Sequence, residues 1–274
     1  MYLRHFKQVA AFFVGLVLCG AALPAAAQSA LIIGAPFVPA WSSEVQAKIL
    51  ATGQFTTVDV VDGGTTTPTL ATMQTYDAIL VYSDANFNDP VTLGNNLHAY
   101  LLSGGGVVDA IFNQQGTNPT GAWQTNADFA QIPAGGGGPQ ATLGTVALPA
   151  HPIMAGVTSF NGGTSSYRGN GGLSAGATEV ARWSTGELLV SYKPVAPGMV
   201  VSLNFFPPSS DSRADFWTAS TDGDLLLANA LTFAAAGGAP PATIPTMSEW
   251  AMILFGLMLA GGAAVMIQRR RLTA

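Results

Sequence analysis

Two clusters of acidic and amide side chains carry most of the potential chemistry in this chain. Asp84, Asn86, Asn88 and Asp89 follow the apolar run YDAILVYSD, and Asp211, Asp215, Asp222 and Asp224 form a second group. Oxygen donors at alternate positions suit a hard cation, with calcium the natural choice. Neither group, however, has the D-x-[DN]-x-[DN]-G loop with its distal Glu. Asn and Asp also make turns and cap helices without any ligand. The expectation is a ligand-binding role for Asp84, Asn86 and Asp89, joined by His151 from Pro149-Ala-His-Pro152. No metal site is assigned, and no cofactor beyond room for calcium.

His151 has no evident nucleophile to serve as base for, and His98 reads as a half-exposed helix residue beside Tyr100. Neither belongs to an H-x-x-x-H or H-x-H spacing, which argues against zinc. Gly172-Leu-Ser174-Ala-Gly176 matches the G-x-S-x-G of a hydrolase elbow. That motif works only between a strand and a helix. Here Gly169 to Gly172 precede it and the β-rich ATEVARW follows, so a glycine-rich loop is expected. Gly135–Gly138 lacks the Lys-Ser/Thr of a phosphate loop. Trp41, Trp123, Trp183 and Trp217 could stack on sugars, or could fill the core and its rim. No catalytic residue is assigned.

The elements that must position these groups alternate. Ala30 to Ala35, Thr56 to Asp62, Tyr76 to Asp84 and Gly104 to Phe112 read as buried strands. Between them, helices are expected from Ser42 or Ser43 to Ala51 with Val45, Ile49 and Leu50 inward, a short one from Thr69, and one over Pro90 to Ser103. Thr178 to Trp183, Leu188 to Tyr192 and Met199 to Phe205 read as further strands. A last helix covers Leu225 to Phe233, capped by Asp222 or Asp224. This order predicts an α/β fold, a doubly wound and mostly parallel sheet of the flavodoxin-like kind, in one domain over residues 28–233.

The two ends are of another character. Arg4 and Lys7, then the apolar stretch Val9 to Leu23, then Ala25-Ala26-Ala27 make a signal peptide over residues 1–27. The Sec translocon and signal peptidase are its implied partners. Cys19, the one cysteine, lies inside it, so the mature chain has no thiol for a disulfide, a nucleophile or a metal. Between Gln28 and Pro245 five cations face fourteen carboxylates, a net charge of −9. That balance excludes nucleic acid, which needs clustered Lys and Arg. Residues 234–243 are small and lack an apolar face, and they read as a linker. Residues 250–267, WAMILFGLMLAGGAAVMI, carry no charge. As a helix they would span roughly 27 Å, a bilayer's hydrocarbon thickness. Arg269, Arg270 and Arg271 would then act as a cytoplasmic stop, leaving the body outside the inner membrane.

Residues 244–274 resemble an IPTL-CTERM sorting tail, a relative of the PEP-CTERM signals. Ile244, Pro245, Thr246, Ser248, Glu249 and Trp250 match, and Met247 stands where Leu is usual. The resemblance implies an exosortase-type membrane protease and delivery to the cell surface or extracellular matrix. The body resembles the class I glutamine amidotransferase-like fold. The resemblance rests on the opening strand and helix, YDAILVYSD, LLSGGGVVDAIF, and the pair HPIMAGV and GMVVSLNFFP. Catalytic members place a nucleophilic cysteine on a tight turn after a strand. No cysteine follows Phe112, so that activity is not implied. The expected function is a non-catalytic binding or structural protein of the envelope or matrix, with exopolysaccharide as one partner. The alternative is an extracytoplasmic carbohydrate or ester hydrolase with an acidic site at the strand ends.

Cell fractionation with C-terminal mass mapping tests the tail: the mature chain should lose residues after the IPTMSEW segment only in cells that have the sorting protease.

Overall fold

The computed structural model describes residues 28–115, 118–237 and 258. The signal peptide, most of the linker, the 244–274 tail and its apolar stretch 250–267 lie outside these residues. Among the described residues no helix is long and apolar enough to cross a membrane.

The first half is built as its apolar runs dictate. Strands β1 (Gln28–Ala35), β2 (Phe55–Asp62), β3 (Ala78–Ser83) and β4 (Gly106–Ala110) are joined by helices α1 (Ala40–Ala51), α2 (Leu70–Met73) and α3 (Pro90–Leu102). After α4 (Ala122–Thr125) come β5 (Leu143–Val146), β6 (Thr178–Trp183), β7 (Leu188–Val195), β8 (Gly198–Leu203) and α5 (Gly223–Ala235). All eight strands form one sheet in the order β2-β1-β3-β4-β8-β7-β6-β5. The β2, β1, β3, β4 and β8 strands run parallel, whereas β7, β6 and β5 follow antiparallel.

Alternation along the strands divides the core into two layers. Ala30 and Ile32 of β1 pack with Val45 and Ile49 of α1 and Leu227 and Leu231 of α5. Leu31 and Ile33 face the other way, with Leu93, Leu97 and Leu101 of α3. Helices thus cover both faces, and every residue of β3 and of β4 is buried. Each fully buried Leu or Ile contributes about 1.5–3 kcal/mol.

Several boundaries move for physical reasons. Helix α1 starts at Ala40, ahead of the expected serine cap, and Ser42 instead bonds the Tyr82 hydroxyl at 2.6 Å. Leu50, expected inward, is 38% exposed, because it sits a full residue step around the helix from buried Ile49. Asp89 caps α3 by accepting from the Thr92 N–H at 2.9 Å, with Pro90 in the first turn. Asp222 precedes α5 but makes no cap bond; its carboxylate accepts from the N–H and hydroxyl groups of Thr158 and Ser159. The helix continues to Ala235 with Ala234 fully buried, so the linker does not begin at residue 234. The sheet is less parallel than expected, since three of its seven strand pairings are antiparallel, and β5 has no apolar run to announce it.

Gly106 opens β4 directly beneath α5: a Cβ there would sit 2.3 Å from the Ala234 carbonyl carbon. Gly106→Ala should destabilise the fold by about 1–3 kcal/mol through overpacking against backbone that cannot yield. Urea denaturation of the two proteins measures it.

Candidate functional site

The carboxyl ends of the parallel strands carry the main cluster, the edge where open α/β sheets place their ligands. Asp84 leaves β3 with its N–H bonded to the Ala35 carbonyl. Phe112 follows β4, its N–H donating to the Ser83 carbonyl at 2.7 Å. Phe205 and Phe206 follow β8, and the Phe205 carbonyl accepts from the Ile111 N–H. Trp41 comes from the first turn of α1.

The 204–222 segment folds back over these ends and is pinned to α1. Ser209 donates its hydroxyl to Glu44 at 2.6 Å, and Lys48 bonds Asp211 at 2.7 Å. The segment brings Arg213 into the aromatic group. Its guanidinium lies 4.2 Å from the Phe216 ring centre, 5.6 Å from Trp41 and 6.0 Å from Tyr167. Two of its nitrogens donate to Asp215, at 2.5 and 2.8 Å, and Nη2 also donates to the Tyr167 hydroxyl at 2.8 Å. Ser165 donates to the same Asp215 carboxylate. Stacking on three rings and a forked bond to a carboxylate are what fix an arginine in one pose.

The electrostatics follow from this packing. Burial pushes the Asp84 carboxyl up, against a counter-pull from the Arg213 charge and the Phe37 N–H. The hydrogen bond from Arg213 holds Asp215 below the usual carboxylate range, with burial opposing and Ser165 helping. The rings themselves pack closely. Phe112 lies 4.9 Å from Tyr167 and 5.4 Å from Phe206, and Phe206 lies 5.0 Å from Phe216. The cavity among Gly162, Tyr167, Trp183, Phe205, Phe206, Phe216 and Trp217 holds only about 10 Å³. That is space for about one water. The cluster is therefore a surface feature, with Phe37 72% exposed at its rim. Chemically it offers an acceptor, a charged donor and apolar ring faces side by side.

The four sequence-derived ligand residues are not brought together. Asp84 belongs to this cluster. Asn86 is exposed, and Asp89 is spent on capping α3. His151 is elsewhere: its ring stacks on Tyr192 at 5.0 Å and meets Phe233 at 4.6 Å, near the end of α5. Its Nδ1 accepts from the Ile153 N–H, and burial lowers its pKa. The second acidic group is also dispersed, with Asp211 on Lys48, Asp215 on Arg213 and Asp222 on Thr158 and Ser159. No group of three or more metal-binding side chains occurs among the described residues. Ser174 is buried and donates to the Phe129 carbonyl, within a loop rather than a strand-to-helix elbow. His98 is paired with Asp128 at 2.6 Å. Of the four tryptophans considered for sugar stacking, Trp123, Trp183 and Trp217 are buried, leaving Trp41 at the rim.

Sequence reasoning missed Arg213 as a site residue, and with it Tyr167 and Phe112. The available signal was Arg213-Ala-Asp215-Phe216, a cation and a carboxylate two residues apart beside aromatics. A second missed feature is wholly buried. Asn113 donates to Asp109 and to the Val81 carbonyl, both at 2.8 Å, and accepts from the Ser83 hydroxyl.

A family model for the IPTL-CTERM motif matches residues 242–271. No curated protein matches the chain. Among solved structures, the fold is similar to a putative ThuA-like protein from Parabacteroides merdae, at 17% identity over 80% of this chain and 94% of that one, with a TM-score of 0.56. A putative ThuA-like protein from Bacteroides uniformis gives 15% identity over 77% and 93%, with a TM-score of 0.51. A cytoplasmic protein from Salmonella typhimurium LT2 gives 13% identity over 76% and 99%, with a TM-score of 0.58. At such identities the likeness carries the fold alone.

Asp215 supplies a pH test. Its lowered folded pKa means that the Arg213 pair stabilises the protein above the unfolded carboxylate pKa, about 3.9. That stabilisation is lost as pH falls through the folded value. In melting-temperature scans from pH 6 downward, Asp215→Asn should melt lower than the parent near pH 6, and the gap should close as pH falls below the usual carboxylate range. The motif implies an exported, membrane-anchored chain processed by an exosortase-type enzyme, and the body in front of it has the glutamine amidotransferase-like fold of the ThuA-like proteins.

Proposed function

We propose that the body is a non-catalytic binding module displayed on the cell envelope, taking its ligand at the Asp84–Arg213 cluster. The supporting observation is the turn after β4. No cysteine follows Phe112 there, and Phe112 itself packs its ring on Tyr167 and Phe206. The nearby groups suit polyol recognition: Arg213 and Asp84 can exchange hydrogen bonds with hydroxyls, while Phe37 and Trp41 offer ring faces to C–H surfaces. A neutral extracellular polysaccharide fits that chemistry. The signal peptide over residues 1–27 and release to the surface or matrix by tail processing belong to the same reading.

The test is a binding and turnover assay on the full chain in detergent. Neutral polysaccharide should be retained by the parent protein, and Arg213→Ala should weaken retention about tenfold or more, the loss of a charged hydrogen bond. Nitrophenyl glycosides and esters should not be turned over. Turnover that co-purifies with the parent and vanishes in Asp84→Asn would favour the hydrolase reading instead.

A further inference from the structure

The two poles of the body differ in what leaves them. Helix α5 runs antiparallel to the parallel strands and ends where they begin: Ala234 abuts Gly106, the first residue of β4, and Gly237 approaches the Pro197 carbonyl just before β8. The chain therefore departs for its tail from the amino edge of the sheet. Gln28 opens β1 on the same edge, hydrogen-bonded in register with Phe55. The Asp84–Arg213 cluster follows the other ends of the strands. We infer that the amino edge is the face set against the lipid surface and that the candidate site is held outward.

Two independent observations carry this. The first is reach. Residues 238–249 separate the last described residue of the body from the uncharged 250–267 stretch. Twelve residues span at most about 40 Å when fully extended. A body of about 210 residues is itself roughly 40 Å across. The carboxyl edge could touch the membrane only with the connection drawn to its limit, which ordering entropy opposes. Near the tail's exit point no such extension is needed.

The second is charge. Asp62, Asp84, Asp89, Asp211 and Asp215 stand at or just beyond the carboxyl ends of the strands and Asp222 at the start of α5, with Lys48 and Arg213 offsetting only Asp211 and Asp215. At the amino edge Asp77 is tied to the Ser29 N–H and hydroxyl at 2.8 and 2.9 Å, beside a hollow lined by the uncharged Gln74, Tyr100 and Ser103. An anionic lipid surface repels carboxylates within about a Debye length, roughly 8–10 Å at moderate salt. The weakly charged pole is the one that can approach it. Retention of the N-terminal apolar segment as an anchor would give the same orientation, because β1 starts at that pole.

The orientation rests on the membrane anchoring that the sorting motif implies, and it is independent of which ligand the cluster binds. The test uses the full chain on a Cys19→Ser background in vesicles of phosphatidylethanolamine and phosphatidylglycerol. A donor dye is placed on Thr75→Cys or Ser103→Cys at one pole, and on Asn88→Cys or Ala214→Cys at the other, with acceptor dye on the lipid headgroups. Energy transfer at the first pair should exceed that at the second by about threefold. Equal transfer at the two poles, or the reverse order, would overturn the orientation while leaving anchoring intact. Failure of the protein to co-float with the vesicles would overturn anchoring and the orientation together. Loss of polysaccharide retention in the earlier assay would leave both standing.

Discussion

The structure depends on one constraint: its central strands are covered on both faces. Once α1 and α5 lie on one side of β1, β3, β4 and β8, and α3 on the other, no side chain of the middle strands can reach water. Any polar group there must be satisfied within the sheet. Asp109 meets that demand through Asn113, which also binds the Val81 carbonyl and Ser83. Ser202, beside Asp109 in register on β8, accepts the N–H groups of Ala130 and Gln131. Groups that act on anything outside the protein are thereby displaced to the two sheet edges.

The edges then divide the work. At the carboxyl edge the returning 204–222 segment, fixed through Glu44 and Lys48 on α1, lays Arg213 over a group of rings. A charged group on so aromatic a bed stays in place because its fork is closed by Asp215 and Tyr167. At the amino edge the same two-sided packing brings α5 down onto Gly106, and that contact decides where the helix ends. The turn after β4 is filled by a ring, and the adjoining cavity is one water in size.

Much of this was legible in the residues. Runs such as YDAILVYSD and the inward face of Pro90 to Ser103 record two-sided and one-sided burial directly, so β3 and α3 emerge where the pattern puts them. The antiparallel half was read less well. Strand β5 is four residues of mixed burial, held by its pairing to β6 and not by an apolar run of its own. Asp222 was legible as a helix start but not as the anchor of the Thr158–Ser159 loop, 63 residues away. Contacts across such distances leave no periodicity.

The sequence by itself determined the ends and the chemistry available between them. Charge, apolar length and the IPTMSEW motif are local properties, and residues 28–274, which hold no cysteine, supply no thiol nucleophile however they fold. The tertiary structure decided which of the surface groups meet. It set Asp89 to cap α3 and His151 to stack on Tyr192, sent three tryptophans inward, and brought Asp84 under the charge of an arginine 129 residues further along. It also decided that α5 ends at the pole of the sheet opposite Asp84 and Arg213. The reason in each case is the same: helix and strand directions fix which ends of the elements coincide, and direction is a property of the packed sheet, not of any one segment.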